Sequence, residues 1–168
     1  MQPGPRRESA RGRVKARLLP ARARNPLVKV QVFNTTGRRV PRGRILRLVR
    51  EVLTRYGPSG EAEIRVIFVD DETIQSLNRQ FLHRDEPTDV ISFDLSEDER
   101  RREGEVYVSV PTAERQSRDY RTTLWEELAR LATHGALHLV GFDDATEEDR
   151  QRMHSVEDEL LKTIRSTR

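Results

Sequence analysis

The sequence contains no cysteine. Disulfide bridges and cysteine-based zinc sites are therefore excluded, and a reducing compartment fits the composition. No apolar run approaches the ~20 residues of a membrane-spanning helix. A secretory signal needs an apolar core, and Leu18-Leu19 does not supply one. Strong overall basicity is missing too, since 31 Lys and Arg against 28 Asp and Glu leave a net charge of +3. Residues 1–26 hold seven Arg and one Lys against one Glu, so that stretch is +7 and the remainder is −4. A case for nucleic-acid binding must then rest on a local patch rather than on the whole chain.

The chain has 168 residues, enough for one domain with a genuine core. Hydrophobic and charged residues each make up 35%, the composition of a soluble protein. Residues 1–26 carry Pro3, Pro5, Pro20 and Pro26 among scattered arginines, with no apolar periodicity. They are expected to be a disordered basic tail, either simply solvated or an arm touching RNA phosphates. Residues 27–168 are expected to form a single domain.

Alternating Val28, Val30 and Val32 predict a first strand over Leu27–Phe33. Ile45, Leu48, Val49, Val52 and Tyr56 recur at helical spacing and stop at Gly57-Pro58. Ile64–Val69 reads as a second strand, and Asp70 or Asp71 caps a helix carrying Ile74, Leu77, Asn78 and Phe81. Val90, Ile91 and Phe93 mark a third strand. Gly104–Val110 marks a fourth, with Val106, Val108 and Val110 on one face. The charged run Ser96–Glu103 between them reads as an exposed hairpin connection. Pro111 opens a short helix, Thr123 and Glu126 form a capping box for Leu124–Val140, and Thr146 with Asp149 caps a last helix. This order predicts an α+β fold, a small mixed four-stranded sheet packed with about five helices.

The most informative stretch is Thr133–Asp144, THGALHLVGFDD. His134 and His138 lie four residues apart, so a helix projects both rings from one face. Gly141 stops that helix, and the chain can bring Asp144 back towards the imidazoles. Two imidazoles and a carboxylate form a ligand set suited to catalytic Zn²⁺. The bland alternative for one such His is a hydrogen-bonded core residue. In zinc peptidases the residue after the first His is a glutamate acting as base, and here it is Gly135. A second stretch, Leu77–Phe93, joins a helix to a strand through His83-Arg84-Asp85-Glu86-Pro87. Thr88, Asp89 and Ser92 suit turn and strand-end capping, and His83 with Arg84 reads as either an exposed loop or a cationic pair for a phosphate.

Together these stretches resemble the YbeY family of bacterial rRNA maturation factors, described as metal-dependent endoribonucleases. The family pattern L-N-x-x-[FY]-R-x-K-D-x-P-T-D-V-L-S-F falls on Leu77–Phe93, and H-G-x-L-H-L-x-G-Y-D-H on His134–Asp144. A Met and a Glu four residues apart fall on Met153 and Glu157. The resemblance spans roughly residues 27–164. Two positions depart from it: the third metal-binding His falls on Asp144, and the Arg after the aromatic residue falls on Leu82.

The resemblance implies a cytoplasmic endoribonuclease that cleaves single-stranded RNA. It would act in 16S rRNA 3′ end maturation and ribosome quality control, with ribosomal RNA and the small ribosomal subunit as partners. One Zn²⁺ per chain would sit on His134, His138 and Asp144. Arg84 and His83 would hold the scissile phosphate. Two other readings stay open: a metal-dependent hydrolase of another substrate, and a non-enzymatic assembly factor with a structural metal. A fourth protein ligand such as His154 would favour the structural metal.

Overall fold

The computed structural model describes residues 27–165, so the expected tail lies outside the described residues. Four strands, β1 (Leu27–Asn34), β2 (Glu61–Val69), β3 (Val90–Asp94) and β4 (Arg101–Ser109), form one sheet in the order β1-β2-β4-β3. β1 with β2 and β2 with β4 pair parallel, while β3 and β4 pair antiparallel. Five helices accompany them: α1 (Arg42–Tyr56), α2 (Asp71–Leu82), α3 (Val110–Asp119), α4 (Leu124–Leu139) and α5 (Glu147–Arg165). The fold is α+β with a mixed sheet, as the periodicities require.

Alternation along the strands decides which side of the sheet is covered more heavily. Ala62, Ile64, Val66 and Phe68 of β2, with Val106 and Val108 of β4, belong to the main core that α1, α4 and α5 also fill. Ile67, Ile91 and Tyr107 belong to a smaller cluster with Ile74 and Leu77 of α2. Helix α4 is central: it touches α1, α3, α5, β3 and β4. Parallel strands need crossover connections, and α1 supplies the one between β1 and β2.

Several boundaries differ from the sequence reading: β2 begins at Glu61 rather than Ile64, and both ends of β4 move. Strand β4 begins at Arg101, inside the predicted loop, because Arg101, Arg102 and Glu103 pair in register with Glu61, Ala62 and Glu63. The charges survive there because Glu103 and Glu105 meet the Arg65 guanidinium at 3.2 and 3.1 Å. Val110 belongs to α3 rather than to the strand. The Ser109 hydroxyl accepts from the Thr112 amide at 3.2 Å and starts the helix one residue before Pro111. Asp70, rather than Asp71, caps α2, accepting from the Thr73 amide at 2.8 Å.

Candidate metal centre

Helix α4 is fixed at both ends and in the middle. At its start the Glu126 amide donates to Thr123 Oγ1 at 3.2 Å, and the Thr123 amide donates to Glu126 Oε2 at 3.3 Å, a complete capping box. Mid-helix, Gly135 lets the helix press onto the sheet. A Cβ there would collide with Val106 Cγ1 and stand 2.9 Å from Ser92 Oγ. Ser92 uses that closeness, donating its hydroxyl to the Gly135 carbonyl at 2.9 Å. The position that lacks a peptidase base is thus a packing position.

At the end of α4, the Phe142 amide bonds the Leu137 carbonyl at 3.0 Å and the Gly141 amide bonds the His138 carbonyl at 3.1 Å. Gly141 has φ +99, so these are the two bonds of a Schellman turn around a left-handed glycine. The Phe142 ring then packs edge-on against Tyr56, with centroids 5.1 Å apart. Beyond it, Asp143 Oδ1 accepts from the Asp144 and Ala145 amides at 2.8 and 3.2 Å. Arg150 donates to the Asp144 carbonyl at 3.3 Å. Asp143 therefore shapes the turn, and Asp144 is left to face the imidazoles.

The ring nitrogens carry the chemistry. His134 Nδ1 lies 2.6 Å from Glu157 Oε1, and His138 Nδ1 lies 3.0 Å from the Phe142 carbonyl. Both partners only accept, so each Nδ1 bears a proton and donates. Each neutral ring then presents a lone pair at Nε2. These two nitrogens stand 3.1 Å apart, and Asp144 Oδ2 lies 3.6 Å from each. Three acceptors converging on one point repel one another unless a cation stands among them. Metal-binding histidines characteristically donate their second nitrogen to a carboxylate or carbonyl in this way. The donor set fits a metal: these three residues offer ligand atoms within 4.8 Å of one another. His154 is outside the group.

Burial would lower the His134 pKa. The hydrogen bond to Glu157, its charge, and the charges of Asp144 and Asp89 outweigh burial and hold it above the ordinary value of 6.5. The same negative surroundings that favour a proton favour a metal cation.

The sequence model of the family Endoribonuclease YbeY matches residues 31–165. The chain belongs to the YbeY family. It is 43% identical over 133 residues to Endoribonuclease YbeY of Pelotomaculum thermopropionicum, covering 75% of this chain and 88% of that one. It is 37% identical over 139 residues to Endoribonuclease YbeY of Chlorobium phaeobacteroides, covering 83% and 99%. The solution structure of TM1509 from Thermotoga maritima is similar with a TM-score of 0.52 and 26% identity, covering 83% of this chain and 93% of that one.

In this member of the YbeY family, a cavity of about 440 Å³ opens beside His134. Asp89, Gln116, Glu127, Arg130 and Glu157 line it, with Leu131, Tyr120 and His154 completing the wall. The family pattern pointed to Glu157, which holds the His134 ring. Glu127 and Arg130 went unnoticed in the sequence, although they precede His134 by seven and four residues, the spacing of one helix face. The other expected site pair, His83 with Arg84, lies elsewhere. His83 ends α2 in the left-handed region with φ 57, Arg84 follows it, and both are exposed. Neither lines the cavity. Among the described residues no helix is long and apolar enough to cross a membrane.

Proposed function

We propose that the chain is a zinc-dependent endoribonuclease specific for single-stranded RNA. It acts in the cytoplasm on ribosomal RNA of the small subunit, in 3′ end maturation and in ribosome quality control. Membership of the YbeY family supports the endoribonuclease activity. The observation that carries the metal dependence is the convergence of two imidazole lone pairs and the Asp144 carboxylate beside a cavity. Three protein ligands, with His154 outside the group, suit a catalytic rather than a structural zinc.

Zinc held by His134, His138 and Asp144 supplies Lewis acidity towards a phosphate oxygen and lowers the pKa of water. The chain's own residues keep that site in shape. Glu157 and the Phe142 carbonyl set the two ring tautomers. Asp143 and Arg150 hold the turn that aims Asp144. Arg84, with His83, contacts RNA phosphate from the exposed segment before β3. Residues 27–168 act as one domain, and residues 1–26 add sequence-independent phosphate contacts through their positive charge.

The test is cleavage of a labelled single-stranded RNA by the zinc-loaded chain, beside the same RNA in a duplex. The single strand should be cut and the duplex spared, and His134→Ala should cut neither. Arg84→Ala should slow cleavage with zinc content unchanged. Removing residues 1–26 should weaken RNA binding and flatten its salt dependence. An intact single strand after incubation with fully zinc-loaded protein refutes the reading.

A further inference from the structure

We propose that the exposed face of α1 docks the phosphate backbone of a structured RNA segment flanking the cleaved single strand; the inference rests on the endoribonuclease reading above. Residues 38–50 hold six arginines and no acidic residue, so +6 falls within thirteen positions of a body whose net charge is −4. Arg38 meets Glu114 at 3.0 Å. Arg39, Arg42, Arg44, Arg47 and Arg50 are exposed, and among the described residues no carboxylate pairs with any of them. Other arginines of the body do find partners: Arg55 meets Glu51 and Glu159, Arg102 meets Asp94, and Arg115 meets Asp71.

This charge does not serve the helix. The first turn of α1 carries Arg42 and Arg44, no acidic residue and no side-chain cap, so cations stand at the positive end of the helix dipole. Arg44, Arg47 and Arg50 follow at three-residue steps, which sets like charges side by side. A local arrangement that opposes folding, with no compensation inside the chain, is expected where function requires it. Arg47 and Arg50 lie on the midline of the exposed face with Gly43 and Thr54, while Ile45, Leu48, Val49, Val52 and Leu53 fill the core. The Arg44 guanidinium is held over the half-exposed Trp125 ring, 5.7 Å from its centroid.

The occupant must supply a row of anions and needs little else. A phosphate backbone does so. Guanidinium forks take phosphate oxygens in pairs. Residues three apart on a helix have Cβ atoms ~5–6 Å apart, near the step between successive phosphates of an A-form strand. An interfacial membrane helix needs a free apolar face to insert, and that of α1 is wholly buried in the core. A protein partner needs a packed anchor at the centre of the patch, and Gly43, Arg47, Arg50 and Thr54 supply none. Trp125 also fixes where the face lies. It precedes His134 by nine residues, about two and a half helical turns, so Arg44 touches the side of α4 opposite His134. A nucleotide held at the metal centre is therefore on the far side of α4 from this face. The face takes RNA beyond the cleaved strand, and A-form duplexes are bound in this manner, through phosphates and shape rather than base edges.

The experiment uses the full zinc-loaded chain and two RNA substrates that share one short cleavable single strand, the first bare and the second continued by a hairpin duplex. Arg47→Gln combined with Arg50→Gln should raise KM for the hairpin substrate roughly tenfold and leave its kcat unchanged. Both constants for the bare strand should stay at the parent values. The slope of log affinity against log salt for the hairpin should fall by about 1 for each arginine removed. Zinc content should match the parent, and melting should occur at the same temperature or higher, since like charges are relieved. Arg47→Lys with Arg50→Lys should keep most of the slope. Equal hairpin affinity and salt slope in the parent and the glutamine variant overturn the docking surface and leave the endoribonuclease reading standing. An equal loss for both substrates places the cleaved strand itself on α1 and overturns a separate surface. Loss of binding to phosphatidylserine vesicles with RNA binding unchanged assigns the face to a membrane and overturns it too. If neither substrate is cut, the endoribonuclease reading fails, and the hairpin titration decides the docking surface alone by the same criterion.

Discussion

Replacing Glu157 tests whether its buried carboxylate serves the metal centre or only the fold. Glu157 Oε1 accepts from His134 Nδ1 at 2.6 Å, and Oε2 has no hydrogen-bond partner. Glu157→Gln keeps an acceptor for the imidazole N–H and removes the charge. Glu157→Ala removes both and frees His134 to take the other tautomer. Outer partners of metal-bound histidines are worth ~10–100-fold in metal affinity. The Gln variant should fall near the lower end and the Ala variant near the upper, about 1.4 and 2.7 kcal/mol. The metal-free fold should respond differently. A buried carboxylate with one bare oxygen is expensive, so Glu157→Gln should leave metal-free stability within ~1 kcal/mol of the parent, or raise it. Competition for zinc against a chromophoric chelator gives the first quantity, and urea unfolding of the metal-free protein gives the second. If both variants hold zinc within about twofold of the parent (~0.4 kcal/mol), the carboxylate does not serve the metal centre.

Gly135→Ala should destabilise the protein by ~1–2 kcal/mol in urea unfolding. The added methyl collides with Val106 on a fixed strand, a severe overlap that costs ~2–3 kcal/mol, and the ~1 kcal/mol gain in helix propensity only partly offsets it; unchanged stability would show that α4 can slide. Glu127 gives a pH prediction. Burial raises its pKa above the ordinary 4.5, Arg130 opposes that, and Asp89 with Glu157 adds to it. The folded state therefore holds this proton more tightly than the unfolded state, and stability is lost as pH rises from about 4.5 to the raised value. Glu127→Leu should lack that loss, so its stability relative to the parent should climb from acid to neutral pH. A pH-independent difference would contradict the assigned environment.

Much of this architecture was legible because amphipathic period and punctuation agreed. Thr123 with Glu126 and Gly141 bracket α4, and both devices form as their residue types require. Asp144 was legible as the residue facing the histidines because a glycine in the left-handed region sets the turn, and Asp143 bonds the amides that follow it. The start of β4 was hidden because Arg101–Glu103 resembles a solvated loop, and only pairing with Glu61–Glu63 draws it into the sheet. The cavity wall was hidden for a related reason. Glu127 and Arg130 resemble an ordinary salt-bridged pair on an exposed helix face, and charged residues are seldom buried. Only the arrival of α5, carrying Glu157 from 23 positions beyond His134, encloses them. For His83 and Arg84, closeness in sequence to the family's Arg position did not translate into a place in that wall.

His134, His138 and Asp144 are placed to hold one metal ion jointly. Elemental analysis of protein purified without chelator, for the parent and for Asp143→Ala and Asp144→Ala, tests this ligand set. The parent should carry about one zinc per chain. Asp143→Ala should retain most of it, since that carboxylate bonds only backbone amides of the turn. Asp144→Ala should lose most of it. A parent chain that carries no transition metal, or an Asp143→Ala variant stripped of metal while Asp144→Ala keeps it, would rule out this metal centre.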